Sequence, residues 1–248
     1  MRNNKSLIAL GVLVLLLIIG FLGFYFWTGN VRTAMPEALS ALDSDELIQV
    51  EIDPWLIFSP IEETPITGLI IYPGGLVEPE AYARNAWDIA ASGYLVVIPP
   101  MPFNLAVFGS NIAGDIINAY PKIENWGIGG HSLGGSMAAS YSNNNPNLVD
   151  GLVLWASYPA GSDDLSESNL VVFSIFGTLD GVATPEEVLA GRYLLPQTTT
   201  WVPIEGGNHG QFGWYGHQDG DNPAVISHDE QDSQIVAATT QFLMQIEQ

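Results

Sequence analysis

Apolar positions fall along the 248-residue chain in three regimes. The first is a continuous run from Leu7 to Trp27, LIALGVLVLLLIIGFLGFYFW, with no charged residue in it. A helix of about 20 residues crosses a hydrocarbon core, so the run predicts a transmembrane anchor over 7–27, behind a short cytoplasmic segment, 1–6. The second regime, TGNVRTAMPEALSALDSDE, is polar with small residues and reads as a stalk over 28–46. From residue 47 to 248 short apolar runs alternate with segments of helical character. LIQVEI and WLIFSP predict two antiparallel opening strands, and GLIIYP, YLVVIPP, WGIGG, GLVLWAS, LVVFSIFG and TTTWVPIEGG predict six more. Wholly apolar runs of this length suit strands covered on both faces, as in parallel sheets.

Between the strands, EPEAYARNAWDIAAS, SLGGSMAASYSNN and TPEEVLAGRYLL predict helices, and DEQDSQIVAATTQFLMQIE predicts another at the end. Thr184 supplies a cap for the third, with Pro185 at the first helical position and Glu186 and Glu187 at the positive end of the dipole. The alternation predicts an α/β domain with a mainly parallel eight-stranded sheet flanked by helices. It is unbroken from residue 67 to 246, which leaves no seam for a second domain.

The ends of the apolar run bear on where the chain resides. A cleaved signal has an apolar core of roughly 7–15 residues followed by small residues. Here Phe24, Tyr25, Phe26 and Trp27 close the run, and such rings favour the headgroup level, so an uncleaved anchor is expected. Arg2 and Lys5 precede the run and only Arg32 follows closely, which favours a cytoplasmic N-terminus and an extracytoplasmic domain. Beyond Arg32 the chain carries all 27 acidic residues against Arg84, Lys122 and Arg192. A field of that sign repels phosphate backbones, so nucleic acid is excluded as a partner. With no cysteine, disulfides, thiolate metal sites and a cysteine nucleophile are excluded too.

Gly130-His131-Ser132-Leu133-Gly134 fits G-x-S-x-G and stands between an apolar strand and a helix, where that motif holds a serine hydroxyl above the sheet. A serine nucleophile needs a base and an acid that orients the base, in the order Ser, Asp or Glu, His. Asp180 follows the seventh strand in FGTLDGVATPEE, and His209 follows the eighth in IEGGNHGQFGWYG. The other acids fit less well: Asp163 and Asp164 lie several residues past their strand, Glu186 and Glu187 begin a helix, and all four read as solvated. His131, beside the nucleophile, is expected to point away and bond locally, while His217 and His228 read as surface or loop-bracing residues. For the oxyanion, the Leu133 N–H is one expected donor. The other belongs to the loop YPGGLVEPEAY, with the Gly75 amide first and Leu76 as runner-up.

In this order and spacing, YPGG, GGHSLGG, GTLDG and GGNHGQFG resemble the α/β-hydrolase superfamily and are similar to its dienelactone-hydrolase-like branch. The resemblance implies an α/β-hydrolase fold with Ser132 as nucleophile, Asp180 as acid and His209 as base. Dienelactone hydrolases proper use a cysteine where this chain has Ser132. The segment HGQFGWYGHQDGDNPAVISHDEQ is also longer than the usual link to the last helix, and resembles a segment of membrane-anchored bacterial α/β-hydrolases. Within it Asp219, Asp221, Ser227 and Glu230 hold the spacing of a calcium loop, but Pro223 and Ala224 break the pattern. An ordinary acidic loop is therefore expected, and no metal.

The expectation is a membrane-tethered serine hydrolase that cleaves a small-molecule carboxylic ester or related acyl compound through an acyl-enzyme, with no cofactor. The alternatives are a non-catalytic binding domain on the same fold, an acyltransferase or a lipase. The insertion YPAGSDDLSESN is too short and acidic to form a lipase lid.

Overall fold

The computed structural model describes residues 2–247 and divides into two compact units, Met1–Val31 and Arg32–Gln248. In the first, α1 spans Arg2–Thr28, and its stretch Ala9–Thr28 is long and apolar enough to cross a membrane. Met1 lies outside the described residues, as do the side chains of Arg2 and Lys5, on which the expected orientation rests.

The second unit holds strands β1 (Ile48–Glu51), β2 (Leu56–Pro60), β3 (Thr67–Tyr72), β4 (Leu95–Ile98), β5 (Asn125–His131), β6 (Gly151–Trp155), β7 (Val171–Gly177) and β8 (Thr200–Ile204). Its helices are α2 (Pro36–Leu39), α3 (Ala83–Ala90), α4 (Ile112–Ala119), α5 (Leu133–Asn144), α6 (Pro185–Ala190) and α7 (His228–Ile246). The eight strands form one sheet in the order β1-β2-β4-β3-β5-β6-β7-β8. Both pairings of β2 are antiparallel and the rest are parallel.

Successive strand residues face opposite sides, and here both sides are apolar. Leu69 and Ile71 join α3 and α7 in one core, while Ile70 and Tyr72 join α4 and α5 in the other. Gly127 and Gly151 are paired across β5 and β6, and a side chain on either would meet the Phe242 ring of α7. Glycines inside strands weaken them, and these two are tolerated because Phe242 fills the space.

Two features differ from the sequence expectation. Helix α4 was not expected: it has two turns, a glycine in the first of them and no side-chain cap. Its Ala113 and Ile116 are buried, so packing rather than propensity holds it. Where a stalk was expected, the chain from Arg32 onward belongs to the compact unit. The Arg32 N–H bonds the Leu76 carbonyl at 2.8 Å, the Ala34 N–H bonds the Glu78 carboxylate at 2.8 Å, and the Met35 N–H bonds the Trp214 carbonyl at 2.7 Å. These partners lie far away in sequence, so a polar composition gave no sign of them.

The sheet order places the functional loops. From β3 the chain passes to β4 on one side and returns to β5 on the other. In open α/β sheets such a switch leaves a crevice at the carboxyl ends of the strands. The loops after β3 and β5 border that crevice, and those after β7 and β8 emerge along the same edge.

Candidate active site

Ser132 joins β5 to α5 with φ 53° and ψ −120°, a conformation costly for a residue with a side chain, of order 1–3 kcal/mol. Three hydrogen bonds hold it. Its N–H donates to the Trp155 carbonyl at 2.9 Å, and its carbonyl accepts from the Ser157 hydroxyl at 2.6 Å and the Ser136 N–H at 3.2 Å. The glycines of the motif are required sterically: a side chain on Gly130 or Gly134 would run into the Tyr72 carbonyl at the end of β3. The serine is thereby half-buried at the N-terminus of α5, whose free N–H groups favour negative charge.

The loops after β7 and β8 bring Asp180 and His209 together. His209 Nδ1 lies 2.8 Å from Asp180 Oδ2, and neither side chain is exposed. The other oxygen of Asp180 accepts the Val182 and Ala183 N–H groups at 2.8 and 2.7 Å. Because an ionised carboxylate only accepts, the Nδ1 proton belongs to the histidine and Nε2 carries the lone pair. Nε2 is buried with no protein partner among the described residues, and Ser132 is not hydrogen-bonded to it. A buried, unsatisfied acceptor is uncommon in a native interior. Bonds between base and nucleophile also tighten once substrate is bound.

His131, expected to point away and bond locally, instead packs against the His209 ring and bonds a residue distant in sequence: its Nδ1 lies 2.9 Å from the Tyr82 hydroxyl, whose oxygen accepts the Gly74 N–H at 3.0 Å. His131 is neutral. Burial, and next the neighbouring His209, hold it well below the ordinary imidazole range. Its ring centroid is 4.4 Å from that of His209, so His209 has a neutral neighbour.

The N–H groups of the loop after β3 separate the two proposed oxyanion donors. Gly74 is committed to Tyr82, Leu76 donates to the Asn104 carbonyl at 2.8 Å, and Val77 to the Gly74 carbonyl at 3.3 Å. The Gly75 N–H has no partner among the described residues, and neither has the Leu133 N–H at the start of α5. Gly75 is thus the available donor and Leu76 is not, a distinction that only the Asn104 contact reveals. A side chain on Gly75 would press on those of Leu133 and Leu105, so residues 75 and 133 are close neighbours.

The remaining candidates fall elsewhere. Asp163, expected to be solvated, is buried, whereas Asp164 is exposed and Glu187 closes a reciprocal capping box with Thr184. His217 is exposed, 3.9 Å from Asp219. His228 stacks on Trp214 with centroids 3.7 Å apart, and burial pushes it down to about 4. Ser227 caps α7 through the Glu230 N–H, Asp219 is exposed, and Asp221 accepts backbone N–H groups. Among the described residues no three acidic or histidine side chains converge as a metal site would require.

A model of the alpha/beta hydrolase family matches residues 68–233, and the chain belongs to that family. No curated protein matches it. Among solved structures it is similar to a predicted CIB-like hydrolase from Thermoplasma acidophilum, at 17% identity and a TM-score of 0.57, covering 80% of this chain and 98% of that one. It is also similar to the thermophilic esterase Est2 of the Planctomycetes species Thermogutta terrifontis, at 14% identity and a TM-score of 0.57, covering 80% of this chain and 91% of that one. At these identities the likeness is one of fold.

Proposed function

We infer that the protein is a membrane-tethered serine hydrolase that cleaves a carboxylic ester or related small acyl compound, a serine-bearing relative of the dienelactone-hydrolase-like branch. The observation that supports this reading is the buried His209–Asp180 pair, whose Nε2 has no partner among the described residues, together with the strained turn at Ser132. As the Ser132 oxygen attacks the acyl carbon, His209 Nε2 takes its proton, and the Leu133 and Gly75 N–H groups receive the oxyanion. The intermediate collapses, His209 returns the proton to the departing alcohol, and an acyl-serine remains. Water that gives its proton to His209 then attacks the acyl carbon, releasing the acid and restoring Ser132. Asp180 fixes the tautomer and stabilises the imidazolium, and no cofactor enters this sequence of steps. The positive charge of Arg2 and Lys5 before the apolar run supports a cytoplasmic N-terminus with the hydrolase outside.

The test is turnover of a panel of chromogenic esters by the full chain in detergent, beside Ser132→Ala. Hydrolysis that falls by several powers of ten in the folded variant is expected. A folded wild-type chain that hydrolyses no acyl compound, or a Ser132→Ala variant as active as wild type, rejects the proposal.

A further inference from the structure

The long segment after His209 contains one carboxylate whose bonding exceeds what an exposed loop needs. Asp221 Oδ1 accepts the N–H of Gly181 at 3.1 Å, of His209 at 3.3 Å and of its neighbour Asn222 at 2.9 Å. Its Oδ2 accepts the N–H of Gly210 at 2.8 Å. Gly181 directly follows Asp180, and Gly210 directly follows His209. One carboxylate therefore ties together the main chains of the two loops that carry the buried pair, independently of the bond between their side chains.

The surroundings of Asp221 are built to hold it there. A side chain on Gly181 would strike the Gly220 carbonyl and the Asn222 amide, so the acid-bearing loop lies directly against the segment. Asn208 donates its side-chain N–H to the Asn222 carbonyl at 2.7 Å. Gln231 of α7 clamps Asn208 from the other side, accepting its N–H at 3.0 Å and donating to its carbonyl at 2.8 Å. Bonds to an ionised acceptor are roughly twice as strong as neutral ones, and a carboxylate can receive four donors that a neutral side chain cannot. The charge also reaches a buried neighbour: burial first, then Tyr82, Asp221 and Asp180, raise the Tyr215 hydroxyl well above its ordinary range.

We propose that Asp221 is a positioning residue: it sets the separation of the Asp180 and His209 loops so that Nδ1 meets the carboxylate and Nε2 stays aimed into the crevice. This rests on the hydrolase reading above, and it gives the extended segment a purpose other than cation binding. Outer groups of this kind are typically worth 10–100-fold in activity, because small displacements of reacting groups are costly.

The test uses the full chain in detergent with Asp221→Ala, Asp221→Asn and, as a control on the same segment, Asp219→Ala, whose side chain is exposed. Asp221→Ala is expected to lower kcat by about 10–100-fold with KM within about threefold, and to slow phosphonate labelling of Ser132 by a similar factor. Asp219→Ala is expected to match wild type. The downfield proton resonance of the His209–Asp180 bond supplies a readout that needs no substrate: it should persist in Ser132→Ala and broaden or vanish in folded Asp221→Ala. A folded Asp221→Ala with an unchanged resonance and kcat within about twofold overturns the proposal. If Asp221→Ala does not fold, Asp221→Asn decides, with about a tenfold loss expected and unchanged turnover overturning the assignment. Absence of ester turnover and of Ser132 labelling in the wild type rejects the hydrolase reading instead, and the resonance still reports on Asp221.

Discussion

Five residues after His209, Trp214 anchors the base-bearing loop in a cluster with two oppositely perturbed groups. The His228 ring stacks on it, the Arg84 guanidinium lies 4.6 Å from its centroid, and its Nε1–H donates to Asp232 at 3.3 Å. Asp232, also bonded by Asn85, is pushed up to about 6 from the usual 3.8, chiefly by burial and with Asp88 adding to it. An acid raised in the folded state gives stability that is complete below the unfolded value and lost as pH rises through the folded one. The whole loss is about 3 kcal/mol, of which about 2 kcal/mol falls between pH 4 and 6. His228 is shifted the other way, from 6.5 to about 4, by burial. Its contribution is present above pH 6.5 and lost as pH falls through 4, about 2–3 kcal/mol after its partial exposure is counted.

The two slopes oppose each other, so the cluster is expected to be nearly indifferent to pH between 4 and 6. Asp232→Asn keeps an acceptor for Trp214 and Asn85 and uncovers the histidine. Its stability relative to wild type should rise by about 2 kcal/mol between pH 4 and 6.5, and the variant itself should weaken on acidification. Urea unfolding of the full chain in detergent, followed by tryptophan fluorescence at each pH, measures this, because the difference from wild type cancels the other carboxylates. A difference that does not change with pH, or that slopes the other way, refutes the assignment.

Three further outcomes are expected. Asp180→Asn offers His209 Nδ1 a donor in place of an acceptor and favours the wrong tautomer, so kcat should fall by about 10⁴-fold with the fold intact; steady-state kinetics and circular dichroism check this. Phe242→Ala empties the space over Gly127 and Gly151 and should cost about 3–5 kcal/mol in denaturant unfolding, with the Ser132 loop unchanged. His217→Ala, at an exposed side chain, should alter turnover by less than about tenfold; a loss equal to that of His209→Ala would place the long segment within the reacting groups.

Much of this organisation is legible from residue types. The apolar runs, the glycines around Ser132 and the strand-end positions of Asp180 and His209 are local signals, each fixed by sterics within a few residues. What was not legible depends on partners distant in sequence. Leu76 and Gly75 look alike as donors until Asn104, from the loop after β4, occupies one of them. Asp163 is buried by packing that its acidic neighbours do not announce, and α4 survives on the burial of two side chains. Asp221 looks like one more acid in an acidic loop, because its function lies in backbone N–H groups of residues 181 and 210. The segment from Arg32 reads as a stalk from its polar composition, because the residues its backbone bonds, 76, 78 and 214, are distant in sequence.

The central claim is that Ser132 is the nucleophile served by His209 and Asp180. The most direct test is to treat the full chain with a serine-directed phosphonate and locate the adduct by peptide mass spectrometry, in wild type and in the Ser132→Ala, His209→Ala and Asp180→Asn variants. The expected result is a single adduct on the peptide containing Ser132, absent in Ser132→Ala and formed at least about 10³-fold more slowly in the other two. An adduct on a different serine, or labelling of Ser132 at an unchanged rate without His209, would contradict it.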